Sequence, residues 1–342
     1  MNASDPIVDV HAHVLLPALQ AVVQAADPDG FAGAALLETR RNGHESQAAS
    51  GAMIRDRFAK LTDLTARLAA MDETGIDIQL VSPSPSHYYP WADAALADRV
   101  ARAASLATAE LVAAAPERLL GLGLVPLQHP TLLVAALEYA VLELGLVGVE
   151  ISSSAGDVEL SDGRLEEFWT RAEELNAVIF LHPFGCTLDE RLDRFYLANT
   201  VGQPTENAVA LSHLIFSGVL DRHPRLRIVA AHGGGYLPGY IGRSDHAWRV
   251  RPEAHGCSEP PSSYLRRLWF DSLVHDKAGL RTLVAAAGAD RVVLGSDFPF
   301  DMGVEDPVAL VRDAGLGEPA EHAILSGNIR DLIPALDRAA TP

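Results

Sequence analysis

Cysteine, basic residues and long apolar runs are all scarce in this chain of 342 residues. Cys186 and Cys257 are its only cysteines, and two cysteines cannot form the disulfide framework of a secreted protein of this size. The first residues also lack the basic and apolar regions of a secretory signal, so we expect a cytoplasmic location. Apolar stretches are interrupted within about 10 residues, which predicts no membrane span and no membrane partner.

The shortage of basic residues makes the chain acidic. Asp and Glu number 45 against 27 Lys and Arg, which gives a formal net charge of −18. A general nucleic-acid binder needs a basic face that displaces counterions from phosphates, so the composition argues against that class. A small anionic substrate remains compatible, because a few local Arg side chains can set the electric field inside a pocket.

Eight short apolar runs recur along the chain, and segments with helical spacing of apolar residues separate them. Strands that are buried on both faces have this Val-, Ile- and Leu-rich composition. Eight such strands alternating with helices predict an α/β fold, a (β/α)₈ TIM barrel in a single domain over residues 1–342. The runs cover residues 7–13, 76–83, 119–126, 146–152, 177–182, 227–232, 268–274 and 292–297.

Two segments do not fit this alternation. Residues 24–52 follow the first strand and residues 187–205 follow the fifth, so we expect insertions at the C-terminal face of the barrel, where substrates bind. An open, doubly wound sheet is the alternative architecture. It is disfavoured because no GxGxxG follows the first strand and no GxxxxGK[ST] occurs in the chain.

Polar residues end four of the apolar runs, and the sixth run ends at His232. His11 and His13 close the first run, His182 closes the fifth and Asp297 closes the eighth. Residues two apart on a strand share a face, so His11 and His13 point the same way. All strand ends of a barrel meet at one mouth, where three imidazoles and a carboxylate suit Zn²⁺ or another divalent transition ion. The pattern predicts a site for one metal ion.

Several motifs resemble those of the amidohydrolase superfamily. The chain is most similar to the branch that contains aminocarboxymuconate-semialdehyde decarboxylase and related aromatic-acid decarboxylases, and the resemblance covers nearly the whole chain in order. It implies metal-dependent, non-oxidative decarboxylation of an aromatic or unsaturated carboxylic acid. The motifs are the His-x-His pair, Leu181-His182-Pro183-Phe184, Ala231-His232-Gly233-Gly234-Gly235 and Gly295-Ser296-Asp297-Phe298-Pro299-Phe300.

The same scaffold is compatible with a second function. A metal-dependent hydrolase or hydratase could use the same activated water on a C–N, ester, lactone or conjugated bond. All of these reactions need the same metal site, so the motifs separate them poorly.

The resemblance also implies roles for individual residues. His11, His13, His182 and Asp297 would hold one Zn²⁺, with Mn²⁺ as the alternative ion, and Asp297 would also take part in catalysis by relaying a proton. His232 would be the general base or proton shuttle, since an imidazole titrates near neutral pH.

Two Arg residues and two Phe residues complete the implied site. Arg55 and Arg251 would grip the carboxylate of a small anionic substrate, since a guanidinium presents a planar fork to a carboxylate. Arg251 would reach the site from the neighbouring subunit of a homodimer. Phe184 and Phe195 stand where relatives often carry Trp, so we expect them to line a substrate pocket of different shape.

Overall fold

A computed structural model describes residues 5–334 and residue 336, and it contains eight parallel strands in chain order. Each strand pairs with the next, as the βα alternation requires. The strands are β1 Val8–Val14, β2 Ile78–Pro83, β3 Leu119–Leu124, β4 Gly148–Ser152, β5 Val178–His182, β6 Arg227–Ala230, β7 Trp269–Asp271 and β8 Val292–Val293.

The residues that follow β8 return to β1 and nearly close the barrel. Backbone N–H groups of Val10 and His13 donate to the carbonyls of Leu294 at 2.9 Å and Phe298 at 2.7 Å. The N–H of Asp297 donates back to the carbonyl of His11 at 2.9 Å. The TIM-barrel prediction is therefore confirmed, and the closing hydrogen bonds place Asp297 against the histidines of β1.

Helices surround the sheet and connect its strands. Between β1 and β2 stand four helices, where a regular barrel unit has one, and residues 24–52 lie within the first three of them. The helices are α1 Pro17–Ala26, α2 Pro28–Asn42, α3 His44–Thr62, α4 Leu64–Thr74, α5 Ala94–Ala114, α6 Leu133–Glu138, α7 Glu166–Leu175, α8 Gln203–Phe216, α9 Val219–Arg222, α10 Leu237–Val250, α11 Lys277–Ala287, α12 Pro307–Arg312, α13 Glu318–His322 and α14 Asn328–Leu332.

The segment after β5 is irregular. Residues 187–205 contain a 3₁₀ turn at Asp189–Leu192 and a π-helical turn at Ala198–Gly202 before they enter α8. Like α1–α3, this segment follows the C-terminal end of a strand. Within the described residues, no helix combines the length and the hydropathy needed to cross a lipid bilayer.

The core has an inner and an outer layer. Val178 and Phe180 of β5 pack inside the barrel, whereas Ile179 and Leu181 pack outside against the helices. This alternation follows from the two-residue period of a strand, and it directs His182 inward. In β1 a shift of register between Asp9 and Ala12 interrupts the regular pairing, and the ring of His11 also contacts Phe180.

The close approach of β4 to β5 depends on Gly148. A Cβ atom at this position would stand 1.9 Å from the carbonyl oxygen of Val178, which is backbone and cannot move aside. We expect Gly148→Ala to lower the free energy of unfolding by more than about 3 kcal/mol, as for severe overpacking. Urea unfolding followed by circular dichroism measures this loss.

Gly33 provides the matched control. It is an exposed residue of α2, and a Cβ there would meet no atom within 4 Å. Gly33→Ala should raise the free energy of unfolding by roughly 0.5–1 kcal/mol, because alanine favours a helix interior. Equal unfolding midpoints for the two variants would show that the β4–β5 contact tolerates a methyl group.

Candidate metal centre

Four polar side chains meet at the C-terminal end of the barrel. His11 and His13 belong to β1, His182 is the last residue of β5 and Asp297 follows β8. One ligand atom from each lies within 4.8 Å of the others, and all four residues are buried. Nε2 of His11 and Nε2 of His13 are 3.0 Å apart and lie 3.4 and 3.3 Å from Asp297 Oδ1. We call these four residues the ligand cluster.

In each imidazole of the ligand cluster, Nδ1 makes a hydrogen bond to the protein on the side of the ring away from the other ligands. A hydrogen on Nδ1 leaves the lone pair of a neutral imidazole on Nε2, which is the atom that faces the other ligands. Such outer partners orient metal-binding histidines in proteins. The contacts are His11 Nδ1 with Asp271 Oδ2 at 2.6 Å, His13 Nδ1 with Ser82 Oγ at 3.1 Å, and His182 Nδ1 with the carbonyl oxygen of Pro183 at 2.8 Å.

Two polar atoms of the ligand cluster make no hydrogen bond within the described part of the chain. Nε2 of His182 and Oδ1 of Asp297 are buried and make no hydrogen bond to any described residue. Buried polar atoms are rarely left unsatisfied, because losing water costs them free energy. A divalent ion among these nitrogen and oxygen atoms would satisfy both, so the residues present fit a metal site of three imidazoles and one carboxylate.

The charges in the ligand cluster favour a cation. Burial lowers the pKa of His182 well below its ordinary value, and burial also lowers the pKa of His13, so both rings are neutral ligands. Burial alone would lower the pKa of His11, but the charges of Asp297 and Asp271 raise it to about 9. The carboxylates of Asp297 and Asp271 therefore stabilise positive charge at this position, even the charge of a protonated imidazole.

His232 lies beside the ligand cluster rather than within it. Its ring centroid is 4.8 Å from that of His182, and its Nε2 is 3.9 Å from Asp297 Oδ2. Burial lowers the pKa of His232 to about 4. His232 is therefore adjacent to the ligand cluster without being one of its four residues.

His232 and Asp297 both have strained backbones. Their φ angles of 54° and 60° lie in the left-handed region, where a residue with a Cβ costs about 1–2 kcal/mol. Asp271 stabilises the first of these turns, because its carboxylate accepts hydrogen bonds from the N–H groups of His232 at 3.0 Å and Gly233 at 2.7 Å. The same carboxylate holds His11, so Asp271 connects a ligand of the cluster to the turn that carries His232.

A second buried network supports the loop after β8. Asp9 accepts hydrogen bonds from the N–H of Ser296 at 3.0 Å and from its hydroxyl at 2.6 Å. Gln79 donates to Asp9 at 3.0 Å and accepts at 2.6 Å from the guanidinium of Arg67, which also donates to the carbonyl of His13. This network joins β1, β2 and α4 to the residue that precedes Asp297, so it sets the position of that ligand.

The predicted substrate residues do not join the ligand cluster. Arg55 is exposed on α3, and Arg251 is exposed at the end of α10, where it pairs with Glu253. In the part of the chain that the structure describes, no hydrogen bond or ion pair links either Arg to the cluster. Phe184 is 40% exposed with its ring 6.3 Å from that of Tyr88, and Phe195 is 87% exposed. Their substrate contacts remain predictions.

Sequence reasoning missed two residues of the site. Asp271 lies inside the predicted run 268–274, but in the structure β7 ends at this residue, directly after Trp269 and Phe270. Asn207 carries no such signal, because it lies within α8 and reaches His232 only through the contact of that helix with the turn after β6. A carboxylate that interrupts an apolar run is a signal that could have identified Asp271, whereas Asn207 required the tertiary structure.

Comparisons with known proteins agree with the geometry. The 2-amino-3-carboxymuconate-6-semialdehyde decarboxylase of Dictyostelium discoideum is 31% identical over 332 residues, 95% of this chain and 91% of that protein. Gamma-resorcylate decarboxylase of Rhodococcus jostii is 30% identical over 264 residues, 71% of this chain and 79% of the relative.

A solved structure and a family profile cover even more of the chain. The 5-carboxyvanillate decarboxylase of Sphingomonas paucimobilis superposes with a TM-score of 0.81 and 26% identity, over 97% of this chain and 99% of that one. The sequence profile of a family described as amidohydrolase matches residues 8–334. The chain therefore belongs to the amidohydrolase family, as its motifs predicted.

Proposed function

We propose that this protein is a metal-dependent decarboxylase that removes CO₂, without oxidation, from an aromatic or unsaturated carboxylic acid. The observation that carries the proposal is the ligand cluster, with its Nε2 and Oδ1 atoms that make no hydrogen bond to the described residues, set beside His232 at the mouth of the barrel. The decarboxylases with related sequences and fold support the substrate class.

The reaction breaks the bond to the carboxylate, releases CO₂ and puts one proton on the carbon that held it. The ligand cluster would hold a divalent ion, Zn²⁺ in our proposal and Mn²⁺ as the alternative, which would supply positive charge that stabilises negative charge on the substrate. His232 and Asp297 face each other at 3.9 Å, so one can present a hydrogen and the other a lone pair at the reacting atoms. We assign them the handling of the proton.

The substrate carboxylate needs a cationic partner, and we propose Arg55 and Arg251 for this role. Arg251 lies at the surface at the end of α10, so it would serve a neighbouring subunit in a homodimer. Phe184 and Phe195 are exposed aromatic side chains of the segment after β5 and would pack on the ring of the substrate. We also propose a cytoplasmic location, since Cys186 and Cys257 are both free thiols.

Removing one imidazole from the ligand cluster should remove the metal. His182→Ala deletes the Nε2 atom that lacks any other partner, so we expect the wild-type protein to hold about one divalent ion per chain and the variant to bind it at least 100-fold more weakly. Elemental analysis and competition with a chelating dye measure these quantities.

His232→Ala is the matched control, because it deletes a neighbouring imidazole that is not a ligand. It should keep the metal while the rate falls at least about 10²-fold, the usual effect of losing one acid–base or charge-stabilising group. Normal metal content in His182→Ala, or loss of metal in His232→Ala, would contradict the assignment of the ligands.

Release of CO₂ separates decarboxylation from hydrolysis. We expect the metal-loaded enzyme to release CO₂ from at least one member of a panel of hydroxybenzoates and aminomuconate-like acids, and to lose this activity on chelation and regain it with Zn²⁺ or Mn²⁺. Hydrolysis of amides, esters or lactones by the same preparation, with no CO₂ from any acid, would favour the hydrolase alternative.

The role of Arg251 can be tested by mixing subunits. Arg251→Met and His182→Ala should each be nearly inactive, yet their mixture should regain up to about a quarter of wild-type activity, because half of randomly mixed dimers are hybrids with one intact site. The variants are mixed under conditions that exchange subunits, and CO₂ release is measured.

Arg249→Met is the control for this experiment, since Arg249 is a neighbouring exposed Arg on α10. It should leave the activity of the homodimer unchanged. A mixture that stays inactive, although mass spectrometry detects hybrid dimers, would show that Arg251 does not serve the partner's site.

A further inference from the structure

Asn207 lies directly behind His232 and plays no part in the ligand cluster. It is a residue of α8, and its side chain is fully buried. Its amide nitrogen Nδ2 is 2.9 Å from the carbonyl oxygen of Ala231 and 3.3 Å from Nδ1 of His232. The amide therefore joins the helix to the turn that carries His232.

The contact with Ala231 determines which way the amide points. A carbonyl oxygen can only accept a hydrogen bond, so the Asn207 atom beside it must be the NH₂ group. The opposite orientation would place two oxygen atoms against each other and would leave the NH₂ group without these partners. In the orientation described, Oδ1 of Asn207 is the atom that has no partner among the described residues.

The second hydrogen of this NH₂ group determines the protonation of His232. Nδ1 of His232 is 3.3 Å from the amide nitrogen, and an amide NH₂ can only donate, so Nδ1 must accept this hydrogen bond and cannot carry a hydrogen of its own. In a neutral imidazole the remaining hydrogen is then on Nε2, the atom 3.9 Å from Asp297 Oδ2. Asp271 holds the backbone N–H of His232 at 3.0 Å, which fixes the turn that carries the ring.

We propose that Asn207 is a positioning residue that keeps His232 as the neutral Nε2–H tautomer. His232 then donates a hydrogen bond to an anionic oxygen of the bound acid and keeps its own hydrogen. Asp297 takes up one proton from water and passes it to the carbon as the bond to the carboxylate breaks and CO₂ leaves, so the electron pair of the broken bond becomes the new C–H bond. The proposal deepens the decarboxylase function and rests on it. It narrows the general role of base or shuttle to that of a hydrogen-bond donor, because both ring nitrogens of His232 are committed.

The tautomer can be observed without measuring activity. Wild-type protein is labelled with ¹⁵N-histidine and loaded with Zn²⁺, and ring nitrogens are assigned by two-bond ¹H–¹⁵N correlation spectra, with His232→Gln identifying the signals that disappear. We expect a lone-pair-type shift for Nδ1 of His232 and an N–H-type shift for Nε2. An N–H-type shift for Nδ1 in the wild-type protein would overturn the proposal even if the enzyme releases CO₂.

Two variants of nearly equal size separate the tautomer from packing. Asn207→Asp and Asn207→Leu both lose the hydrogen bond to Ala231, but only Asp offers Nδ1 an acceptor. In Asn207→Asp we expect Nδ1 to become N–H-type and kcat to fall about 10-fold or more with unchanged metal content, since an acceptor replaces the donor. In Asn207→Leu we expect a mixture of tautomers and a smaller loss of kcat.

The outcomes distinguish this proposal from the function on which it rests. Equal spectra and equal rates for the two variants would show that Asn207 only supports packing. If the spectra are as expected but the protein releases no CO₂, the proposal about the His232 tautomer stands and the proposed decarboxylase function is wrong.

Discussion

The burial of three imidazoles and a carboxylate at one point is the constraint on which the site depends. Desolvation disfavours each of these groups unless it has a partner, and protein atoms satisfy Nδ1 of all three histidines but leave Nε2 of His182 without one. The remaining lone pairs converge within 4.8 Å. A cation at their centre converts this costly arrangement into a stable one, and the rest of the barrel serves to maintain the geometry.

Maintaining that geometry requires a strained backbone. His232 and Asp297 both have positive φ angles, although neither is glycine. Asp271 accepts hydrogen bonds from two backbone N–H groups of the first turn, and Asp9 accepts them from the N–H and the hydroxyl of Ser296, just before Asp297. Since Asp271 also holds His11, a change at this one carboxylate would move a ligand and the neighbouring imidazole together. Strain of this kind persists where the surroundings determine the conformation completely.

Much of the fold and part of the site were predictable from particular residues. The Val- and Ile-rich runs predicted the eight strands because a strand covered on both faces must be apolar throughout. The polar ends of those runs predicted the ligand cluster, since parallel strands bring their C-terminal ends to one mouth. The role of Asn207 could not be predicted, because it depends on the contact of α8 with the turn after β6, which the sequence pattern does not show. The substrate-binding roles of the exposed Arg55 and Arg251 rest on the family resemblance alone.

The sequence by itself determined the barrel, the family and the four residues of the ligand cluster, since each follows from residue type and order along a strand. The tertiary structure decided which nitrogen of each histidine faces the centre and which faces the protein. Those choices depend on hydrogen bonds between residues far apart in the chain, such as His11 with Asp271 at 2.6 Å. A shift of one ångström in the packing of helix on strand would remove such a bond, and a linear pattern of residues carries no information at that scale.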